Sequence, residues 1–239
     1  MNSGPLLFLG LLVTMACSWL SFVMGPQLQI GDMRPTTNIV VGASGQIYPH
    51  AEPGVAHQGA EIYRANGCAA CHTQQVRPRD LGSDIDRGWG ERRSTGYDYL
   101  FDQPVLLGSQ RVGPDLANAG RRMDIAAILL HLYEPRDITP GSIMPPFPFL
   151  FEKRKIQGAP SADALRLPTP TAPPPGYEIV PRPAALELAA YVASLHQDGY
   201  LFEAPPPLPP PGQTNTPATA AAPTNSPATN AAPTNSPAK

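Results

Sequence analysis

Cys68-Ala69-Ala70-Cys71-His72 reads C-x-x-C-H, the spacing at which a chain attaches a c-type haem. Two thiols three positions apart lie on one helical turn, so each can add to a vinyl group of the same porphyrin. The next residue, His72, is then held beneath the iron as an axial ligand. The remaining cysteine, Cys17, lies far away in an apolar run, so Cys68 and Cys71 are each other's partners. A C-x-x-C pair also serves as a redox dithiol or as half of a zinc site. Zinc needs a second pair of ligands, and neither another C-x-x-C nor an H-x-x-x-H occurs. A dithiol needs no following histidine and belongs in a βαβ pattern, which is absent.

A haem c with methionine opposite histidine has a raised reduction potential and suits electron transfer. Of the six methionines, Met1, Met15 and Met24 fall in the apolar N-terminal run and Met33 in the stretch after it. Met123 begins a helix beside Arg121 and Arg122. Met144 lies in Ser142-Ile143-Met144-Pro145-Pro146-Phe147-Pro148, where prolines hold the chain extended and remove backbone donors. That loop presents a thioether to a dry pocket, so Met144 is the favoured sixth ligand. Met123, His131 and His196 are the other candidates, and each histidine sits on a helix that can place it at the surface. A metal-bound histidine donates its free N–H to a carbonyl that fixes the ring. In Gly113-Pro114-Asp115-Leu116 the Pro114 carbonyl is the candidate, as in the G-P-x-L loops of small cytochromes c. Arg111 and Arg121 flank that loop and are candidates to face the haem propionates. As isolated residues they read as solvated surface.

Proline accounts for 32 of the 239 residues and is concentrated after residue 145, so the folded part is smaller than the chain. A net charge of -2 with 15% charged residues lacks the basic surplus of a nucleic-acid binder. Residues 6–24 (LLFLGLLVTMACSWLSFVM) are apolar and uncharged, long enough to span a hydrocarbon core of about 30 Å. The absence of Lys or Arg before this run and of an A-x-A site after it favours an uncleaved anchor over residues 5–24. A cleaved signal peptide is the other reading. Residues 25–55 read as a linker, with a short strand at Asn38-Ile39-Val40-Val41. Helical spacing covers residues 57–67, with Ile62 and Tyr63 on one face, and Pro78 ends the helix or turn after His72. Residues 79–96 are polar and Gly-rich, either a solvated loop or a docking surface. Residues 124–133 form a helix with Ile125, Ile128, Leu129 and Leu132 apolar, stopped by Pro135. Residues 183–196 form another, burying Leu186, Leu188, Tyr191, Val192 and Leu195. Residues 158–182 are a Pro-rich excursion. From residue 203 to 239 the chain is Pro, Ala, Thr, Asn and Ser with a direct repeat, the composition of a disordered tail.

Gly59, Ile62 and Tyr63, then Cys68-x-x-Cys71-His72, Gly113-Pro114-Asp115-Leu116, Gly120-Arg121, Met144-Pro145 and Leu188-x-x-Tyr191-Val192 together resemble a class I cytochrome c. More narrowly, Asn66-Gly67-Cys68-x-x-Cys71-His72-Thr73-Gln74-Gln75-Val76-Arg77-Pro78 is similar to the mono-haem cytochrome subunit of cbb-type haem-copper oxidases. Asp102-x-Pro104, Gly108-Ser109-x-Arg111, His131-Leu132-x-x-Pro135-Arg136 and Ser142-Ile143-Met144-Pro145 continue that likeness. The family usually carries a Trp and a His just before the His131 helix, and this chain does not. The resemblance implies an all-α, class I cytochrome c fold over residues 56–202, wrapped around one covalent haem c. It implies an electron-transfer subunit without an active site of its own. Its partners would be a polytopic haem-copper oxidase catalytic subunit, other c-type cytochromes as electron donors, and the membrane. Haem attachment occurs outside the bacterial cytoplasmic membrane, so the expected location is a single-pass inner-membrane protein with its haem domain in the periplasm. The alternatives are the cytochrome subunit of a nitric-oxide reductase and a free-standing anchored shuttle. A haem-based gas sensor is a third reading, weakened by the lack of an output domain after residue 202.

Overall fold

A computed structural model describes residues 3–35, 48–197 and 199–205. The N-terminal run is one helix, α1 (Gly4–Ile30), with no residue of its apolar window buried. Its 27 residues cover about 40 Å at 1.5 Å per residue, enough to cross a membrane. It outruns the expected anchor because it continues through Pro26. Proline lacks an N–H and crowds the carbonyl four residues back. The chain answers with a widened π turn over Leu20–Met24, closed by the Gly25 N–H on the Leu20 carbonyl. The strand expected at residues 38–41 and most of the tail lie outside the described residues.

Helix α2 (Gly54–Ala65) buries Ala56, Gly59 and Tyr63 along one face. Gly67 reverses the chain at φ +70, a left-handed conformation that suits glycine. A single turn, α3 (Cys68–Cys71), follows directly. His72 is already extended, so the chain leaves the helix there and not at Pro78. Next come α4 (Ala119–Arg122), α5 (Ile125–Tyr133) and α6 (Pro135–Ile138). The Asp124 carboxylate caps α5 by accepting from the Ala127 N–H at 2.7 Å. Pro135 disfavours helical geometry at Glu134 and then opens α6 as its first residue, so it separates two helices and does not simply stop one.

The expectation of an all-α fold is corrected by a two-stranded antiparallel sheet, β1 (Phe151–Lys155) with β2 (Tyr177–Pro181), Phe151 facing Pro181. The Pro-rich excursion is therefore partly a hairpin. Leu165 donates its N–H to the Ile179 carbonyl on the outer edge of β2 at 2.8 Å. The carboxylate of Glu178 accepts from Arg154 and from Ser161, tying the excursion down at its base.

Helix α7 (Pro183–Ser194) lies across α2 at backbone contact. A Cβ on Gly59 would stand 2.0 Å from the Glu187 carbonyl oxygen. The Tyr63 and Tyr191 rings meet edge to face at 5.4 Å beside this contact. Helix α7 buries Ala185, Leu188, Ala189, Tyr191 and Val192, whereas Leu186 faces outward and Leu195 is half-buried.

Residues 79–96 are largely exposed, but buried side chains pin the stretch to the fold. Asp84 is fully buried and accepts from the Arg77 backbone and guanidinium and from Arg111. Burial alone would raise its pKa, but these bonds hold it below the usual carboxylate range. Arg92 and Asp98 form a second buried pair at 2.6 Å, joined by the Gly199 carbonyl and the Tyr48 hydroxyl. Tyr48, in the stretch read as linker, and Ala204, in the stretch read as tail, are both buried.

Candidate haem-binding site

The site begins with how His72 is held. The Gly113 N–H donates to the Cys71 carbonyl at 3.0 Å and the Leu116 N–H to the Thr73 carbonyl at 2.8 Å. The G-P-D-L loop is thus stitched to the stretch around the motif. Asp115, fully buried, adds a third stitch by accepting from the Gln75 N–H at 2.9 Å and from Ala117 at 2.8 Å. These bonds set the Pro114 carbonyl 2.9 Å from His72 Nδ1, leaving Nε2 as the nitrogen for a metal. A Cβ on Gly113 would stand 2.2 Å from the His72 ring, so glycine is required for the loop to approach so closely.

Burial lowers the His72 pKa and the charge of Arg122 lowers it further, against the bond to Pro114. Both effects favour the neutral ring, the form that ligates metals. Burial pushes the Cys68 thiol up to about 11, above the range of a reactive thiolate.

Two adjoining cavities, about 180 and 420 Å³, open beside this ring. Both are lined by Cys68, His72, Pro114, His131 and Met144, and the larger one also by Cys71. The rest of the smaller cavity's wall is mostly apolar, from Tyr63, Leu116, Ile128, Leu132, Leu188 and Val192. The Met144 N–H donates to Ser142 Oγ at 3.3 Å, and the Phe147 N–H to the Leu132 carbonyl at 2.9 Å, so the loop is pinned to α5.

The structure thus brings together Cys68, Cys71, His72, Pro114 and Met144. Met123 lines the smaller cavity too, while His196 faces a different one. Arg111 and Arg121 line neither haem-side cavity. Arg111 reaches Asp84 and the Gln75 carbonyl, and Arg121 pairs with Glu91 at 3.1 Å. Arg122 stands on the cavity wall instead, its guanidinium donating to the Asp115 and Asn118 carbonyls. His131 is the other addition. It is half-buried, and its Nδ1 has no hydrogen-bond partner among the described residues.

These residues fit a haem: a largely apolar space, an imidazole fixed by a carbonyl, a thioether, two thiols and a guanidinium for a propionate. No group of three or more His, Cys, Asp or Glu side chains placed to hold a metal ion is found among the described residues. The family described as cytochrome c oxidase, mono-heme subunit/FixO matches residues 26–166. Among curated proteins nothing matches.

Proposed function

The chain belongs to the FixO family of mono-haem cytochrome c oxidase subunits, and on that premise we propose that it passes electrons to the catalytic subunit of a cbb-type haem-copper oxidase. Cys68 and Cys71 would hold one haem c by thioether bonds, and His72 and Met144 would ligate its iron. The haem, when bound, supplies a reversible one-electron change at iron. The chain's own residues set the conditions for it. Pro114 fixes the His72 ring, the Met144 thioether raises the potential, and Leu116, Ile128, Leu132 and Leu188 keep water from the porphyrin. Arg122 offsets a propionate charge. Arg111 acts at one remove, by holding Asp84 and Asp115 behind the His72 loop, while Arg121 pairs with Glu91 and lines neither cavity.

With His72 and Met144 both on the iron, this subunit would offer no open coordination position to a substrate, which suits an electron-transfer role. Helix α1 anchors it in the bacterial inner membrane, the haem domain faces the periplasm under a class I cytochrome c fold, and other c-type cytochromes supply its electrons. The observation that carries this reading is the 2.9 Å contact of His72 with Pro114 on a cavity shared by Cys68 and Met144. The test is to purify the tagged chain from its native membranes in mild detergent and record reduced-minus-oxidised spectra with and without carbon monoxide. A c-type band with b-type haem that binds carbon monoxide, in a preparation that consumes oxygen, is the expected result. A lone c-type band blind to carbon monoxide overturns the oxidase assignment.

A further inference from the structure

One polar group on the cavity wall is left unused by this reading. His131 sits on α5, a helix fixed by its Asp124 cap and by buried Ile128, Leu129 and Leu132. Its Nδ1 is buried and has no partner among the described residues. An unpaired buried polar group is costly, and one that persists needs a reason. His131 lines both cavities together with His72 and Met144. The Met144 loop is bonded back to the same stretch of chain. Thr139 donates to the Pro135 carbonyl at 2.9 Å, Ser142 to Thr139 at 3.0 Å, and Phe147 to Leu132 at 2.9 Å. The His131 and Met144 side chains therefore line the same cavities from one continuous segment, residues 125–147.

We propose that His131 is a reserve axial ligand: when the bond from the Met144 thioether to the haem iron breaks, a ring nitrogen of His131 takes the vacated position. The inference rests on the haem reading above. The exchange balances simply. One iron–sulfur bond is lost, one iron–nitrogen bond is made through a lone pair of neutral imidazole, and no electron or proton is transferred. The iron stays six-coordinate and closed to small ligands. Its potential falls, because thioether ligation is what raises it. Loss of Met144 thus slows electron flow without turning the subunit into a gas-binding site.

The test uses the full chain with its anchor, matured with haem and purified in detergent. Haem staining of the denatured wild-type chain comes first, and an absent band sinks the haem reading and this one together. With haem attached, Met144→Ala is expected to remain low-spin, to bind no carbon monoxide when reduced, and to titrate at a lower potential than wild type. Adding His131→Phe, which keeps the ring volume, is expected to give a high-spin ferric spectrum and full carbon monoxide binding. His131→Gln serves the same purpose should the phenylalanine variant fail to mature. A high-spin Met144→Ala single variant overturns the reserve ligand while leaving the haem reading intact. So does a low-spin spectrum in the double variants, which hands the position to Met123 or another side chain.

Discussion

Gly113 shows how little room the site leaves. Its hydrogen stands where any other residue would put a carbon 2.2 Å from His72 Cε1, and the obstacle is a ring held by the Pro114 carbonyl. Gly113→Ala should therefore push the loop off His72 and lower the yield of low-spin, covalently attached haem at least severalfold. Haem staining and the oxidised spectrum measure this, and wild-type yield would show that the loop tolerates the shift. Asp102 makes a different kind of prediction. Burial, then the charge of Asp98, raises its pKa to about 6. A carboxyl raised above its ordinary value of about 4 binds protons more tightly in the folded chain. Its contribution is thus fully present below pH ~4 and is lost as pH rises through about 6. Asp102→Asn should match wild type at pH ~4 and exceed it at pH ~7.5 by about 1 kcal/mol, discounted for its partial exposure. Denaturant midpoints at the two pH values check the sign, and a variant weaker than wild type at the higher pH would refute it. Cys68, Cys71, His72 and Pro114 are legible in the sequence because covalent and metal chemistry demand fixed spacings. The choice of Arg122 over Arg121 is not, because neighbours on a helix point about 100° apart and only the packing of α4 says which faces the cavity.

At the scale of elements, the α2–α7 crossing is what closes the haem-side core. It depends on Gly59, whose missing side chain lets α2 meet the Glu187 carbonyl and the Tyr191 Cβ of α7. Gly59→Ala forces the helices apart and should destabilise the fold by about 1–3 kcal/mol, the usual cost of overpacking. Because Tyr63, Leu188 and Val192 line the cavity from these same helices, the haem band should shift or broaden as well. Melting and visible spectra taken on one sample separate this from a purely local effect, which would move the first alone. The three main helices of the folded region are readable from their periodicity. Leu186 is the exception, its place on the buried face taken by Ala185 and Ala189, small residues that periodicity weighs lightly. The hairpin is not readable. Four of the five residues of β1 (FEKRK) are exposed and charged, so no apolar alternation marks it, and its partner lies beyond a Pro-rich stretch. Besides its ladder and the buried Phe151, Ile179 and Val180, the sheet is tied by Arg154 on Glu178 and by Lys153 over the Tyr177 ring, contacts distant in sequence.

At the scale of the whole molecule, the cavity is not an attachment to the core but its centre. Tyr63, Ala119, Ile128, Leu132, Leu188 and Val192 belong to the main hydrophobic cluster and to the cavity wall at once. The described chain also seats two buried carboxylates on guanidinium partners, Asp84 on Arg77 and Arg111 and Asp98 on Arg92, the last pair buried on both sides. The same economy explains why the domain edges escape the sequence. Tyr48 and Gly199 are clamped by Arg92, and a lone aromatic or glycine amid polar neighbours carries no periodic signal. A fold whose apolar residues converge on a cavity needs its occupant. A group that binds the folded chain and not the unfolded one stabilises it by mass action, and a covalent bond makes that occupant permanent. Cys68→Ser with Cys71→Ser should leave a haem that dissociates on dilution, and with it a chain that unfolds at a markedly lower temperature and is cut sooner by protease. Adding free haem should recover part of the lost stability in proportion to its concentration. A double-serine chain as stable as wild type without haem would mean that the helices close over the space unaided, and that the cavity contributes to electron transfer but not to the fold.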